Sequence, residues 1–311
     1  MKTEYKEGVI STHNLTKNYG KIKAVDKISI NVRKGEIYGF LGLNGAGKTT
    51  TIQMLLGMVH PSSGEAYLNG QKINANSHDL WNRVGHLVEI PYSYPELTVR
   101  ENLEIICRLR SLSNPDSVNS VIEKLKLNQY QDREAKNLSL GNLQRLGLAK
   151  ALIHNPDILI LDEPSNALDP AGIVEIRELL LDLALNKGVT IFISSHMLSE
   201  ISKIATRVGI IHEGKLIQEM TAKKLHQLRN RSLLIDVNDI NRAISILTNV
   251  GLNATITDDG LIEIKENEVV MHPENVNSKL VNAGFSPRML KVEEEELESY
   301  FLRIIDKRGV V

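Results

Sequence analysis

The segment IYGFLGLNGAGKTT, from Ile37 to Thr50, decides the fold, because an apolar run leads into a glycine-rich loop and then a predicted helix beginning near Lys48. Its second part, GLNGAGKTT, matches the phosphate-binding loop pattern G-x-x-x-x-G-K-[ST]. Backbone N–H groups of such a loop, together with the positive end of the following helix, surround phosphate oxygens. The candidate phosphate-binding residues are Gly42, Leu43, Asn44, Gly45, Ala46, Gly47, Lys48, Thr49 and Thr50.

Two side chains of this loop and two acids further along predict nucleotide chemistry. In a loop of this type the Lys48 ammonium bridges the β- and γ-phosphates, and the Thr49 hydroxyl is a ligand of Mg²⁺. The segment ILILDE (Ile158–Glu163) is an apolar run that ends in two acids. A buried strand of this kind brings Asp162 to the phosphate site, where it can hold Mg²⁺ through water. Glu163 is then placed to polarise an attacking water molecule.

The segments around these motifs predict an α/β fold. Residues 8–40 alternate apolar and polar positions between glycine breaks, which favours antiparallel strands. DILILDEP and VTIFISSH are apolar runs followed by helix-like segments, a pattern typical of a parallel sheet covered on both faces. From about residue 91 to residue 144 the apolar spacing predicts a helical insertion. RVGIIHEGKLIQEM predicts a hairpin that turns at Glu213-Gly214.

The character of the sequence changes near residue 225. We therefore expect one domain over residues 1–222 and a small α+β domain over residues 225–311. All candidate catalytic motifs precede the second domain, so we do not expect it to form part of the nucleotide site. Its predicted elements are a strand (SLLIDV), a helix (INRAISILTNVG), two strands (NATIT and LIEIKE), a helix (ENVNSKLVNAG) and a final strand and helix.

The composition of the chain limits the kinds of partner that it is expected to bind. The 311 residues include 37 Lys and Arg against 38 Asp and Glu, for a net charge of -1. Such a balance supplies no global positive field, so nucleic acid is not expected as a partner. The sequence contains no run of about 18 apolar residues, so a membrane-spanning partner would have to be another subunit. The single cysteine, Cys107, lies among apolar residues and predicts a buried thiol in a reducing cytoplasm.

LSLGNLQR, from Leu138 to Arg145, resembles the LSGGQ signature of ABC (ATP-binding cassette) ATPases, with Leu140 and Asn142 as departures. Together with the phosphate loop, the acidic strand end, SNALD and His196, the resemblance covers residues 1–222. It implies a P-loop ATPase with an antiparallel β subdomain and a helical insertion, working as a head-to-tail dimer that holds two ATP molecules. The residues implied to act on the partner's ATP are Leu138, Ser139, Gly141, Asn142 and Gln144, with Asp169 in the loop that communicates across the interface.

The same resemblance gives roles to two isolated residues. Tyr19 occupies the aromatic position that stacks on adenine, although an aromatic residue at a strand end is more often part of a core. His196 occupies the switch position, where an imidazole contacts the γ-phosphate and orients water together with Glu163. The implied cofactors are ATP and Mg²⁺.

Glu89 departs from the family pattern, which has glutamine at this position. A glutamate offers only acceptors and adds a full negative charge near the metal-binding acids, so we expect it to be a third Mg²⁺ ligand beside Thr49 and Asp162. This variant and the chain length resemble the bacitracin-resistance and lantibiotic-immunity ATPases. The resemblance implies a cytoplasmic protein on the inner face of the membrane, with a permease and a second ATPase copy or paralogue as partners. We expect the Pro91–Tyr94 stretch to face the permease.

Other functions remain open from the sequence. A generic drug or peptide exporter has the same ATPase motifs, since the membrane subunit selects the cargo. A soluble ABC protein acting on ribosomes or DNA is disfavoured, because this chain has a single phosphate loop and no long coiled coil between its motifs. A non-catalytic regulator is disfavoured by the presence of Lys48, Asp162, Glu163 and His196.

Overall fold

The computed structural model describes residues 8–74, 78–89 and 91–308, which form two units that divide between Ala222 and Lys223. Within these described ranges, no helix is both long and apolar enough to cross a membrane.

Strands of the first unit form two sheets. In chain order they are β1 (Ile10–Tyr19), β2 (Ile22–Ile28), β3 (Asn31–Val32), β4 (Ile37–Leu41), β5 (Ser63–Leu68), β6 (Gln71–Lys72), β7 (Val84–Leu87), β8 (Ile158–Asp162), β9 (Thr190–Ser195), β10 (Arg207–His212) and β11 (Lys215–Thr221).

The helices of this unit lie between these strands. They are α1 (Lys48–Leu55), α2 (His78–Trp81), α3 (Val99–Leu109), α4 (Ser117–Lys124), α5 (Leu140–Leu152), α6 (Pro170–Leu185) and α7 (Leu198–Ile201).

The central sheet has the order β11-β10-β4-β9-β8-β7. Its pairs are parallel except for the β10–β11 hairpin. Strands β4, β8 and β9 are buried along their whole length, which confirms that the apolar runs form a covered parallel sheet. The carboxyl ends of these three neighbours meet at one edge, where loops build ligand sites in open α/β sheets.

The second sheet is antiparallel, with the order β2-β1-β5-β6 and β3 paired to β1. The predicted alternation is confirmed, because Ile28, Ile30 and Val32 are buried in its core. The hairpin predicted at Glu213-Gly214 also forms. Both turn residues have positive φ, 47° and 76°, as a two-residue turn between twisted strands requires.

Helices α3 and α4 and the start of α5 occupy the segment from residue 91 to residue 144. Helix α3 begins with a capping box, in which the Thr98 hydroxyl accepts from the Glu101 N–H and the Glu101 carboxylate accepts from the Thr98 N–H. Cys107 on α3 is half-buried rather than fully buried, and burial raises the pKa of its thiol. A thiol with a raised pKa is less reactive, as expected from its apolar neighbours.

The second unit is a small α+β fold. Its elements are α8 (Ala222–Gln227), β12 (Arg231–Asp236), α9 (Ile240–Asn249), β13 (Ala254–Ile256), β14 (Ile262–Ile264), α10 (Asn267–Met271), α11 (Pro273–Asn282), β15 (Met289–Glu294) and α12 (Leu297–Arg308). The antiparallel sheet has the order β13-β14-β12-β15, which with α9 and α11 gives the βαββαβ connectivity of ferredoxin-like folds. The predicted strands and helices are confirmed, and α8 and α10 are elements that the sequence did not predict.

Candidate nucleotide site

The phosphate loop connects β4 to α1 at the carboxyl edge of the central sheet. Gly47 has φ +106°, and a Cβ there would lie 2.5 Å from the Ala24 carbonyl oxygen, so only glycine fits. Helix α1 begins at Lys48 without a side-chain cap on its first N–H groups. These N–H groups and the helix dipole therefore favour a bound anion, as the loop pattern predicts. Leu43, Asn44 and Gly45 are exposed, whereas Ala46 is buried.

Lys48 is buried within this loop, with 6% of its surface exposed. Its Nζ donates to the carbonyl oxygens of Gly42 (2.7 Å) and Leu43 (3.3 Å). The same nitrogen lies 3.3 Å from the Glu163 Oε1 carboxylate oxygen. The ammonium is thus held between the loop and the acidic end of β8, where it can meet the terminal phosphates of a nucleotide.

The proposed metal ligands of the loop and of β8 lie together. The Thr49 Oγ1 hydroxyl donates to Asp162 Oδ2 at 2.7 Å, and Thr50 beside it is half-buried. The other oxygen of Asp162 accepts from the Ser194 hydroxyl on β9. Sequence reasoning missed Ser194, although a pair of serines at the end of an apolar strand was a visible signal. Its hydroxyl orients the carboxylate toward Thr49.

Glu163 and His196 are brought together from the ends of β8 and β9. His196 Nδ1 lies 2.8 Å from Glu163 Oε2. The Glu163 carboxylate therefore lies between an imidazole and the Lys48 ammonium. A carboxylate held this way at a phosphate site can accept a proton from water, and the imidazole can orient that water.

The signature residues lie at the beginning of α5. Ser139 is the N-cap, and its hydroxyl accepts from the Asn142 N–H at 3.3 Å. A Cβ on Gly141 would lie 3.0 Å from the Ala167 carbonyl oxygen, so the signature packs against the following loop. Leu138 before the cap is buried, and Leu140 is 68% exposed.

This end of α5 opens on a pocket shared with the loop before α6. Asp169 lines it, and its carboxylate accepts from the Gly172 N–H at 2.9 Å as the N-cap of α6. Within the described ranges, no phosphate-loop residue lines the pocket. The lining of this pocket therefore contains the signature without the phosphate loop of the same chain.

Gln144 departs from the expected position on the partner-facing surface. Its side chain is 5% exposed, and Nε2 donates to the Glu163 carbonyl oxygen of the same chain at 3.2 Å. The reason is the helical period. Gln144 follows Ser139 by five positions, which turns it about 140° away from the N-cap at about 100° per residue.

Tyr19 and Glu89 lie at the margin of the site. Tyr19 ends β1 with its ring 48% exposed, and the Lys17 Nζ lies over the ring, 5.1 Å from its centroid. Glu89 has φ +57°, and its Oε1 accepts from Gln53 Nε2 at 3.0 Å. Gln53 follows Thr49 by one helical turn on α1. The structure thus brings Glu89 beside the phosphate-loop helix, but no described contact joins it to Thr49 or Asp162.

A groove runs from Glu89 along α3 and α5. Its floor is apolar, and its polar members include Arg110 and Lys150. Lys150 donates to the carbonyl oxygen of Tyr92 (2.8 Å) and to Asn102 Oδ1 (3.1 Å), and burial lowers the pKa of its ammonium to about 8. Tyr92 on the rim is 77% exposed. An exposed aromatic beside an apolar groove is typical of a protein-binding surface.

Comparisons with known proteins agree with this geometry. Residues 25–166 match the ABC transporter family model. The chain is 40% identical to the bacitracin transport ATP-binding protein BcrA of Bacillus licheniformis, covering 96% of this chain and 97% of that protein. It is 36% identical to the lantibiotic transport ATP-binding protein SrtF of Streptococcus pyogenes, covering 73% of this chain and 99% of that protein.

Solved structures show the same fold for the larger unit. A dimeric bacterial ABC transporter cassette superposes with a TM-score of 0.63 at 26% identity, covering 68% of this chain and 98% of the cassette. A dimeric cassette in a post-hydrolysis state with ADP and Pi superposes with a TM-score of 0.64 at 24% identity, covering 68% of this chain and 98% of that chain. The chain belongs to the ABC transporter family and is one of its ATP-binding, ATP-hydrolysing subunits.

Proposed function

We propose that this ATPase powers a bacterial exporter that expels antimicrobial peptides of the bacitracin or lantibiotic type, giving resistance or immunity. The observation that carries the proposal is 40% identity to a bacitracin transport ATPase over nearly the whole chain, including the second unit. The lantibiotic transport relative supports the same substrate class. A generic drug or peptide exporter is the second candidate, since the ATPase motifs do not contact cargo.

The working form is a head-to-tail dimer of two copies, or of this chain and a paralogue. The pocket at Ser139 supports it, because its described lining contains the signature but no phosphate-loop residue of the same chain. In the dimer each ATP lies between the phosphate loop of one chain and the α5 N-terminus of the other, where Ser139 and Gly141 contact it. Tyr19 stacks on the adenine.

The residues present fit a Mg²⁺ ion. The Thr49 hydroxyl and the Asp162 carboxylate are hard oxygen ligands already 2.7 Å apart. Within the described ranges no group of three or more His, Cys, Asp or Glu side chains forms a metal cage, so phosphate and water oxygens would complete the shell. When bound, the ion would neutralise phosphate charge. Glu89 is the proposed additional ligand.

Hydrolysis depends on this chain's own side chains. Lys48 and the loop N–H groups hold the phosphates, and the Glu163 carboxylate accepts the proton of the attacking water. His196 fixes the orientation of that carboxylate and of the water. Asp169 and its loop contact the partner's half of the site.

Replacing Glu89 with glutamine is expected to raise the free Mg²⁺ concentration for half-maximal ATPase activity roughly tenfold, since a ligand charge is lost while the shape is kept. The glutamine carbonyl can still accept from Gln53, so the local fold should survive. The measurement is a Mg²⁺ titration of the ATPase rate at fixed ATP. Glu65→Gln, which alters an exposed carboxylate paired with Lys72, is the control. Identical titrations for wild type and Glu89→Gln would contradict the ligand role.

The groove between α3 and α5 is the proposed contact with an integral membrane permease, and the proposed location of the chain is the cytoplasmic face of the membrane. Pro91 and Tyr92, from the Pro91–Tyr94 stretch, line it. Glu89 lies at the same groove and accepts a hydrogen bond from Gln53 on α1. A movement of the permease can therefore be transmitted through α1 to the phosphate loop.

Deleting the gene from its host is expected to lower the inhibitory concentration of bacitracin or a lantibiotic at least about fourfold. Wild type should restore resistance, and Tyr92→Glu should not, because an added charge at a buried contact costs desolvation. Purified Tyr92→Glu should keep its ATPase activity without the permease. The measurements are inhibitory concentrations in complemented strains and ATPase rates of the purified proteins.

Leu185→Glu is the matched control, because Leu185 is equally exposed, at 73%, but lies at the end of α6. It should restore resistance fully. Unchanged sensitivity of the deletion strain to both peptide classes, with altered sensitivity to other drugs, would favour the generic exporter. Full complementation by Tyr92→Glu would contradict the permease contact.

A further inference from the structure

Gln144 joins two functional places within one chain. It lies on α5, whose N-cap Ser139 faces the pocket proposed to cover the partner's ATP. Its buried amide donates to the Glu163 carbonyl oxygen at 3.2 Å. Only about one and a half helical turns, roughly 7.5 Å of rise, separate the two positions. Helix α5 therefore connects the proposed site of the partner's nucleotide at Ser139 directly to Glu163 of its own chain.

Glu163 needs this support because its backbone is in the left-handed region, with φ +50°. A residue with a Cβ persists there only when surrounding contacts hold it. Its N–H donates to the Ser194 carbonyl oxygen at 3.2 Å, and its carbonyl accepts from the Asn166 N–H at 3.1 Å. Those two contacts come from the adjacent strand and from its own loop. The Gln144 amide is the contact that ties Glu163 to the signature helix.

This backbone conformation determines where the carboxylate points. It places Oε1 3.3 Å from the Lys48 Nζ and Oε2 2.8 Å from His196 Nδ1. A displacement of about 1 Å at a reacting group can cost as much as 10²-fold in rate. Loosening the carbonyl of Glu163 would therefore reduce turnover without touching the phosphate-binding groups.

We propose that Gln144 is a positioning residue that acts in cis. It fixes Glu163 of its own subunit, and it couples this Glu163 to the ATP that the partner's phosphate loop holds against Ser139 of that same subunit. The inference rests on the proposed dimer. It differs from a signature role, in which Gln144 would act on the ATP held by the partner's phosphate loop. The two roles predict losses at opposite sites of a dimer.

Mixed dimers with one working site separate these roles. The reference dimer pairs wild type with Glu163→Gln. In the cis dimer, Gln144→Met is paired with Glu163→Gln, so the working Glu163 lies in the altered chain. In the trans dimer, wild type is paired with the double variant Gln144→Met/Glu163→Gln, so the altered chain contributes only the signature. Methionine keeps the length and volume of glutamine but has no donor.

The cis dimer is expected to show a kcat about tenfold or more below the reference, with KM changed less than about twofold. The trans dimer should stay within about twofold of the reference in kcat. Gln144→Asn, which keeps the amide but is one methylene too short, should give the same cis loss. If the methionine variant does not fold, the asparagine variant makes the same test, and ATP-dependent dimer formation by size exclusion verifies folding of each chain.

A loss confined to the trans dimer would overturn the cis role, and equal losses in both dimers would reduce Gln144 to a general structural residue. Full kcat in the cis dimer would overturn positioning altogether. If the Glu163→Gln chain with ATP and Mg²⁺ forms no dimer, the proposed dimer itself fails, and that result is distinct because it precedes any Gln144 substitution.

Discussion

Replacing Glu163 with glutamine is expected to lower ATP turnover at least about 100-fold, because loss of a general base typically costs 10²–10⁴ in rate. Nucleotide binding should persist, since Lys48 and the loop N–H groups are untouched. The amide also removes a negative charge 3.3 Å from the Lys48 Nζ, next to where phosphate binds. Glu163→Gln should therefore accumulate as an ATP-bound dimer. Steady-state ATPase assays and size exclusion with ATP and Mg²⁺ measure the two effects.

Glu178→Gln is the matched control, because Glu178 is an exposed carboxylate on α6 away from the site. It should retain the wild-type rate and show no trapped dimer. A Glu163→Gln protein that hydrolyses ATP at the wild-type rate would remove Glu163 from the proposed role. His196 or another group would then have to take the proton from water.

Ser139→Arg is expected to abolish ATPase activity while leaving ATP affinity of the monomer intact. The arginine removes the acceptor of the Asn142 N–H and puts a bulky cation at a helix N-terminus proposed to meet the partner's phosphate. Lys48→Ala should instead weaken ATP binding in its own chain. Each variant alone should be inactive, because every site in its dimer has one damaged half.

Mixing the two variants is expected to restore activity. One site of the mixed dimer combines the intact Lys48 of one chain with the intact Ser139 of the other. Each mixed dimer has one good site of two, so the purified mixed dimer should show roughly half of the wild-type rate. Coexpressed, differently tagged chains and an ATPase assay of the doubly purified dimer give the measurement.

Thr98→Arg controls for the loss of a helix cap, since Thr98 caps α3 through the same type of bond. It should lower stability without abolishing the ATPase activity of the purified protein. A confirmed mixed dimer of Ser139→Arg and Lys48→Ala with no activity above either parent would contradict composite sites. Each chain would then have to contain a complete site of its own.

The sequence by itself determined the phosphate loop, the buried strands and the hairpin at Glu213-Gly214. These features depend on residues close together in the chain. A glycine such as Gly47 is needed for one backbone conformation. An apolar run favours burial because of its own residues, whichever elements pack against it. The loop therefore predicted the positions of Lys48 and Thr49 before any tertiary contact was known.

Strand order required the tertiary structure. The adjacency of β4, β9 and β8 brings His196 to Glu163, which is 33 positions earlier in the chain. Family resemblance implied this meeting, but spacing in the sequence could not, because it gives strands and not their neighbours. The contact of Ser194 with Asp162 also depends on which strands are neighbours, so the sequence did not predict it.

The tertiary structure alone decided where Gln144 and Glu89 point. Both residues are within recognisable motifs, yet one is buried against its own Glu163 and the other bonds to Gln53 on α1. A motif fixes residue order along a helix, whereas packing of that helix against a sheet decides which face is buried. The left-handed conformation of Glu163 likewise depends on contacts from β9 and α5, which are distant in sequence and meet Glu163 only in the folded chain.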